Sequence, residues 1–148
     1  MNVMQWYFGF HPSARPWARG ASAYMLFGHV EAFGYTQDDT WLFFDPQGRR
    51  TTVLITHRHD AVNDLLAQRY INCHTIIRIN AGTDRVINPL RGPTTCVSQC
   101  AALMGWRAYT LGGFRRKLLA NGGEVIHERR TTRERSRQGS ADAGAEAQ

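Results

Sequence analysis

Three side chains suited to acyl chemistry are spread along the chain: Cys96, His29 and Asp45. Cys96 follows Thr94-Thr95 at the head of a predicted helix, CVSQCAALMGW. Unpaired backbone N–H groups and the helix dipole favour negative charge there. A thiol so placed, with a basic partner beside it, ionises below the usual thiol range, and the thiolate is the reactive form. The same position also suits a small apolar residue closing the helix against a sheet. His29 interrupts an apolar strand, Ala23-Tyr24-Met25-Leu26-Phe27-Gly28-His29-Val30, where a lone imidazole either makes a buried hydrogen bond or serves a site. Nucleophilic catalysis needs a nucleophile, a base in reach and a third group fixing the base's tautomer. Asp45 on the partner strand can be that third group. Glu31, two residues beyond His29 and on the same strand face, is its rival.

The elements that must position these residues are legible from periodicity and punctuation. Residues from Ala21 to Pro46 read as a long hairpin around the polar turn Thr36-Gln37-Asp38-Asp39. A three- or five-residue loop centred near Gln37 sets Asp45 directly opposite His29 on one face, whereas a two-residue loop moves it to the other face. Asp45-Pro46 is expected to end the second strand, because proline cannot donate to a ladder. Gln47-Gly48 is the next turn and Thr51 to Thr56 a third strand. Asp60 is the expected cap of a helix over AVNDLLAQRY, with Val62, Leu65, Leu66 and Arg69 or Tyr70 on one stripe. Two strands follow, HTIIRIN and RVIN, separated by Ala81-Gly82-Thr83-Asp84. The Cys96 helix carries Val97, Cys100, Ala101 and Met104 inward and ends at Gly105. A last helix runs from about Leu111 to Ala120, capped by Thr110 and stopped by Asn121-Gly122, and Glu124 to His127 closes the fold as a strand. Strands first and a Cys-bearing helix late make an α+β fold with a mostly antiparallel sheet.

Composition bounds the rest. The 148 residues, 43% hydrophobic and 11% aromatic, suit one domain, 1–127, followed by a polar tail, 128–148, that lacks Val, Ile, Leu, Met and aromatic residues and is expected to be disordered. Three cysteines with no framework spacing fit a reducing compartment. No stretch reaches the roughly 18 apolar residues of a membrane span, and no signal peptide is visible. A soluble cytoplasmic protein is therefore expected. The net charge of +6 reads as solubility charge.

Gly28-His29-Val30 on a hairpin, Trp41-Leu42-Phe43-Phe44-Asp45-Pro46 on its partner and Thr95-Cys96-Val97 opening a late helix resemble the permuted papain-like hydrolases. These are relatives of the NlpC/P60 superfamily and include the lecithin retinol acyltransferase-like group. The resemblance spans roughly Ala21 to Ala120. It implies a circularly permuted papain-like fold with Cys96 as nucleophile, His29 as general base and Asp45 as orienter. It also implies cleavage or transfer at an amide or ester acyl carbon through an acyl-thioester, often in cell-wall peptides or lipids. No cofactor and no metal are expected. The Cys96 backbone N–H would hold part of the oxyanion. Tyr24 is a second donor only by virtue of its strand, and a core role suits it better.

The expected partner is a peptide or acyl substrate, since the chain lacks the added membrane elements of the longer acyltransferases. Two other classes compete. A non-catalytic phage or mobile-element protein could use Arg115-Arg116-Lys117 and the Arg-rich tail on nucleic acid, although those charges equally suit a solvated helix face. A metal-binding protein could use Cys73-His74, His57 with His59, or Cys96 with Cys100, but none has the paired spacing of a structural zinc site. Trp6, Tyr7, Trp17 and Trp41 are pocket-wall candidates whose plainer reading is core.

Overall fold

The computed structural model describes residues 2–13, 27–48, 50–82 and 94–129. Its centre is a strand for which the sequence had raised no expectation, β1 (Val3–Pro12). From there the chain runs outward through β2 (Phe27–Thr36), β3 (Trp41–Gln47) and β4 (Arg50–Thr56). After α1 (His59–Asn72), β5 (Thr75–Asn80) pairs on the other side of β1. Two short helices, α2 (Cys96–Leu103) and α3 (Leu111–Ala120), precede the edge strand β6 (Glu124–Glu128). The sheet order is β4-β3-β2-β1-β5-β6, with every neighbouring pair antiparallel. The fold is α+β.

Helices on both faces explain why β1 escaped a reading by alternation. Trp6, Phe8 and Phe10 point into a core closed by Val97, Cys100, Ala101, Phe114 and Leu118 of α2 and α3. Tyr7 on the opposite face stacks on Phe33 with ring centroids 5.2 Å apart, in the second core that Val62 of α1 helps to close. A strand covered on both sides reads as a continuous apolar run, here Trp6-Tyr7-Phe8-Gly9-Phe10, with no period of two. The aromatic pocket-wall candidates are mostly this packing: Trp6 is buried, and Trp41 stacks on Phe43. Trp17 lies outside the described residues.

Phe114 is fully buried and meets Phe8 edge-to-face at 5.0 Å. Phe114→Ala is expected to cost about 3–5 kcal/mol, the transfer and cavity terms of a large core aromatic. A denaturant melt checks it, since the midpoint should fall with little change in slope.

Several boundaries differ from expectation. The hairpin strand begins at Phe27, and the expected positions 21–26 lie outside the described residues, as does RVIN at 85–88. Helix α1 starts at His59 after Arg58, which makes no side-chain cap. Asp60 stands one position inside the first turn, where it pairs with Arg58 at 3.0 Å and still faces the positive end of the helix. Within the stripe, Arg69 rather than Tyr70 turns inward, lying 4.5 Å over the Phe43 ring, while Tyr70 is exposed. The expected tail began at Glu128, yet Glu128 pairs across to Thr75 and the Arg129 N–H donates to the His74 carbonyl at 2.8 Å.

Candidate active site

A reciprocal cap sets the start of α2. Thr95 Oγ1 accepts the Ser98 N–H at 3.2 Å, and Ser98 Oγ accepts the Thr95 N–H at 2.8 Å. This is a capping box with serine in place of the usual Glu or Gln. Cys96 thereby becomes the first helical residue, beside N–H groups that the helix cannot pair internally.

The sheet opens where that helix end arrives. β2 and β3 pair only from Tyr35↔Trp41 to Ala32↔Phe44. Continuing the same register sets Pro46 opposite Val30, and proline has no N–H to give. The Val30 groups that would have gone to β3 are taken by α2 instead. The Val30 N–H donates to the Cys96 sulfur, and the Cys100 thiol donates to the Val30 carbonyl at 3.6 Å. Cysteines four apart on one helix face replace one rung of the ladder. The expectation that Pro46 ends its strand is corrected accordingly. β3 continues to Gln47 because β4 still holds it through Pro46↔Thr51 and Gln47↔Arg50, and proline ends only the pairing with β2.

The hairpin loop decides what His29 meets. Thr36 N–H donates to Thr40 C=O at 2.9 Å, leaving a three-residue loop with Asp39 at φ 58°, a left-handed conformation that Asp tolerates. The loop is centred on Asp38 and not near Gln37, so Asp45 lies diagonally from His29 rather than directly opposite. The face is unchanged, and diagonal neighbours remain within side-chain reach. His29 Nε2 is 2.6 Å from Asp45 Oδ1, and the Gln47 amide donates to Asp45 Oδ2. The imidazole is also hydrogen-bonded to the Cys96 side chain. The structure thus brings Cys96, His29 and Asp45 together.

Charge is balanced within the trio. Burial alone would push the His29 pKa down, but hydrogen bonds to Cys96 and Asp45, with the charges of both, raise it to about 9. Burial alone would push the Cys96 thiol up. The His29 hydrogen bond, the Val30 N–H, the imidazolium charge and the Val97 N–H outweigh it and hold the thiol below its ordinary range. The other two cysteines behave oppositely: burial pushes Cys73 up to about 12 and drives Cys100 strongly upward. Among the three, only Cys96 is shifted toward its thiolate.

Glu31, the rival orienter, is engaged elsewhere. It meets His11 Nε2 at 2.9 Å and Arg69 Nε at 3.3 Å. His11 was missed because β1 was missed; its one sequence signal is a histidine ending an aromatic run. Gln47 was read only as a turn residue. His29, Asp45 and Gln47, with Gln68, Arg69 and Asn72 of α1, line a polar cleft of about 420 Å³. The remaining ligand candidates serve local contacts: His57 Nδ1 lies 2.9 Å from Thr40 Oγ1, and His59 lies 2.9 Å from Asp39. Arg115 pairs with Glu128 at 3.2 Å, and Lys117 lies 5.6 Å from the Trp106 ring centroid, so both of these cations are engaged within the fold. Tyr24 lies outside the described residues. Among the described residues no helix is long and apolar enough to cross a membrane. No family model, no curated protein and no solved structure matches this chain, and the functional reading rests on its own geometry.

Proposed function

We propose that this protein is a cysteine hydrolase or acyltransferase acting at an amide or ester carbon, with Cys96 as nucleophile, His29 as acid and base, and Asp45 holding the imidazole. The observation that carries this reading is the placement of His29 between the Cys96 thiol and the Asp45 carboxylate. The Cys96 thiolate attacks the acyl carbon, and the oxyanion forms beside the N-terminus of α2. His29 gives its proton to the departing amine or alcohol, leaving an acyl-thioester on Cys96. A water or second acceptor then loses a proton to His29 as it attacks the thioester, which releases the acyl group and restores the thiolate. The chain order, hairpin histidine before helix cysteine, supports a permuted papain-like arrangement. The polar cleft beside His29 and Asp45 favours a peptide-like substrate over a lipid chain.

Mass-mapped labelling with a mild thiol alkylator tests the activated thiolate. At neutral pH Cys96 should react at least about tenfold faster than Cys73 or Cys100, and His29→Ala should remove that advantage. The pH dependence has a definite sign. Because the His29 pKa is raised, its proton stays on through neutral pH and is lost near pH 9. Hydrolysis should therefore climb as Cys96 ionises, level off and decline near pH 9 as the acid is lost. Equal labelling of the three cysteines would defeat the proposal.

A further inference from the structure

We propose that His11, Glu31 and Cys73 form a binding site for a zinc-type transition-metal ion, with the cleft supplying the fourth coordination position. The three come from separate parts of the chain, β1, β2 and the residue after α1. His11 Nε2 lies 2.9 Å from Glu31 Oε1 and 3.7 Å from Cys73 Sγ, and Cys73 Sγ lies 3.9 Å from the same Glu31 oxygen. Bonds of about 2.0–2.3 Å in a tetrahedron place ligand atoms about 3.3–3.7 Å apart. The cluster meets that spacing to within about half an ångström before any ion enters.

The way the atoms converge separates this cluster from a second catalytic triad. A relay uses the two nitrogens of an imidazole in opposite directions, as His29 can between Asp45 and Cys96. At His11 one nitrogen, Nε2, faces both the carboxylate and the thiol. Three donors surround a common point, as coordination requires. Mixed sulfur, imidazole and carboxylate donors suit zinc or cobalt over magnesium or calcium.

The surroundings hold the donors in place. Arg69 Nε lies 3.3 Å from Glu31 Oε2 as an ion pair without a formed hydrogen bond, and its guanidinium sits over Phe43, so its charge faces one carboxylate oxygen while the other is turned to His11 and Cys73. Gly9 makes room for the sulfur: a Cβ there would lie 2.6 Å from Cys73 Sγ. Cys73 is fully buried and Glu31 nearly so, whereas the His11 side chain is 25% exposed and, with Glu31, lines the cleft by which an ion would enter. On binding, the Cys73 thiol proton is released to solvent and the His11 ring proton resides on Nδ1, freeing the Nε2 lone pair. Thiolate and carboxylate then neutralise the dication, and no electron is transferred.

Cobalt(II) titrated into the full chain tests the site independently of the thiol-enzyme reading. We expect one equivalent per chain, a thiolate-to-cobalt charge-transfer band, displacement by zinc, and broadening of the His11 ring resonances in the unmutated protein. The band should persist in Cys96→Ala. It should vanish in Cys73→Ser, and affinity should fall at least about tenfold in Glu31→Gln. Both variants are checked for fold by circular dichroism. Absence of stoichiometric uptake, or a band that survives Cys73→Ser and disappears in Cys96→Ala, overturns the site.

Discussion

Cys96→Ala is expected to lower kcat/KM for any acyl substrate by about 10⁴-fold or more, because the covalent route disappears and only binding and the helix-end N–H groups remain. Cys96→Ser should be nearly as inactive. Its hydroxyl keeps the shape but does not ionise at neutral pH in the environment that lowers the thiol pKa. Cys96 is only half-buried at the tip of α2, so either change should leave the fold standing. Single-turnover assays on peptidyl and ester substrates, with far-ultraviolet circular dichroism as the fold check, measure the effect. A well-folded Cys96→Ala protein that retains full turnover would sink the mechanism.

The second large effect belongs to Asp45→Asn. Asp45 accepts from His29 Nε2 and from Gln47, which fixes the ring so that its other nitrogen is available to the thiol. An amide can face the ring with the wrong atom and carries no charge. Activity should fall about 10²–10⁴-fold, the range for disabling a general acid–base partner. The hydrogen bond and charge of Asp45 both raise the His29 pKa, so their loss should move the upper limb of the pH–rate profile below pH 9. A profile that keeps its upper limb would assign Asp45 to architecture alone. Glu31→Gln is the useful contrast, because the Glu31 carboxylate is engaged by His11, Arg69 and Cys73.

Local features were read from the sequence where neighbouring residues settle them. Thr110 accepts the Gly113 N–H at 3.1 Å, Thr95 caps α2, and Gly122 adopts φ +86° where α3 stops. A cap or a turn is decided within three or four residues, so its signal is intact in one dimension. The same holds for the late Cys-bearing helix, whereas the face shared by His29 and Asp45 was left open by the sequence and is settled by the three-residue loop closed by Thr36 and Thr40. β1 was hidden because its pattern depends on helices packing from both sides. His11 was hidden with it.

What only the tertiary structure decided is which acid each histidine meets. Asp45 and Glu31 share the face on which His29 lies, and no local rule chooses between them. The choice follows from the hairpin centre at Asp38 and from Arg69 and His11, brought in by α1 and β1 to occupy Glu31. The sequence alone determined that a strand histidine, a nearby acid and a helix-end cysteine exist in that order. Their meeting depends on Pro46, whose missing N–H frees Val30 to receive the tip of α2, an effect seen only when β2, β3 and α2 are packed together.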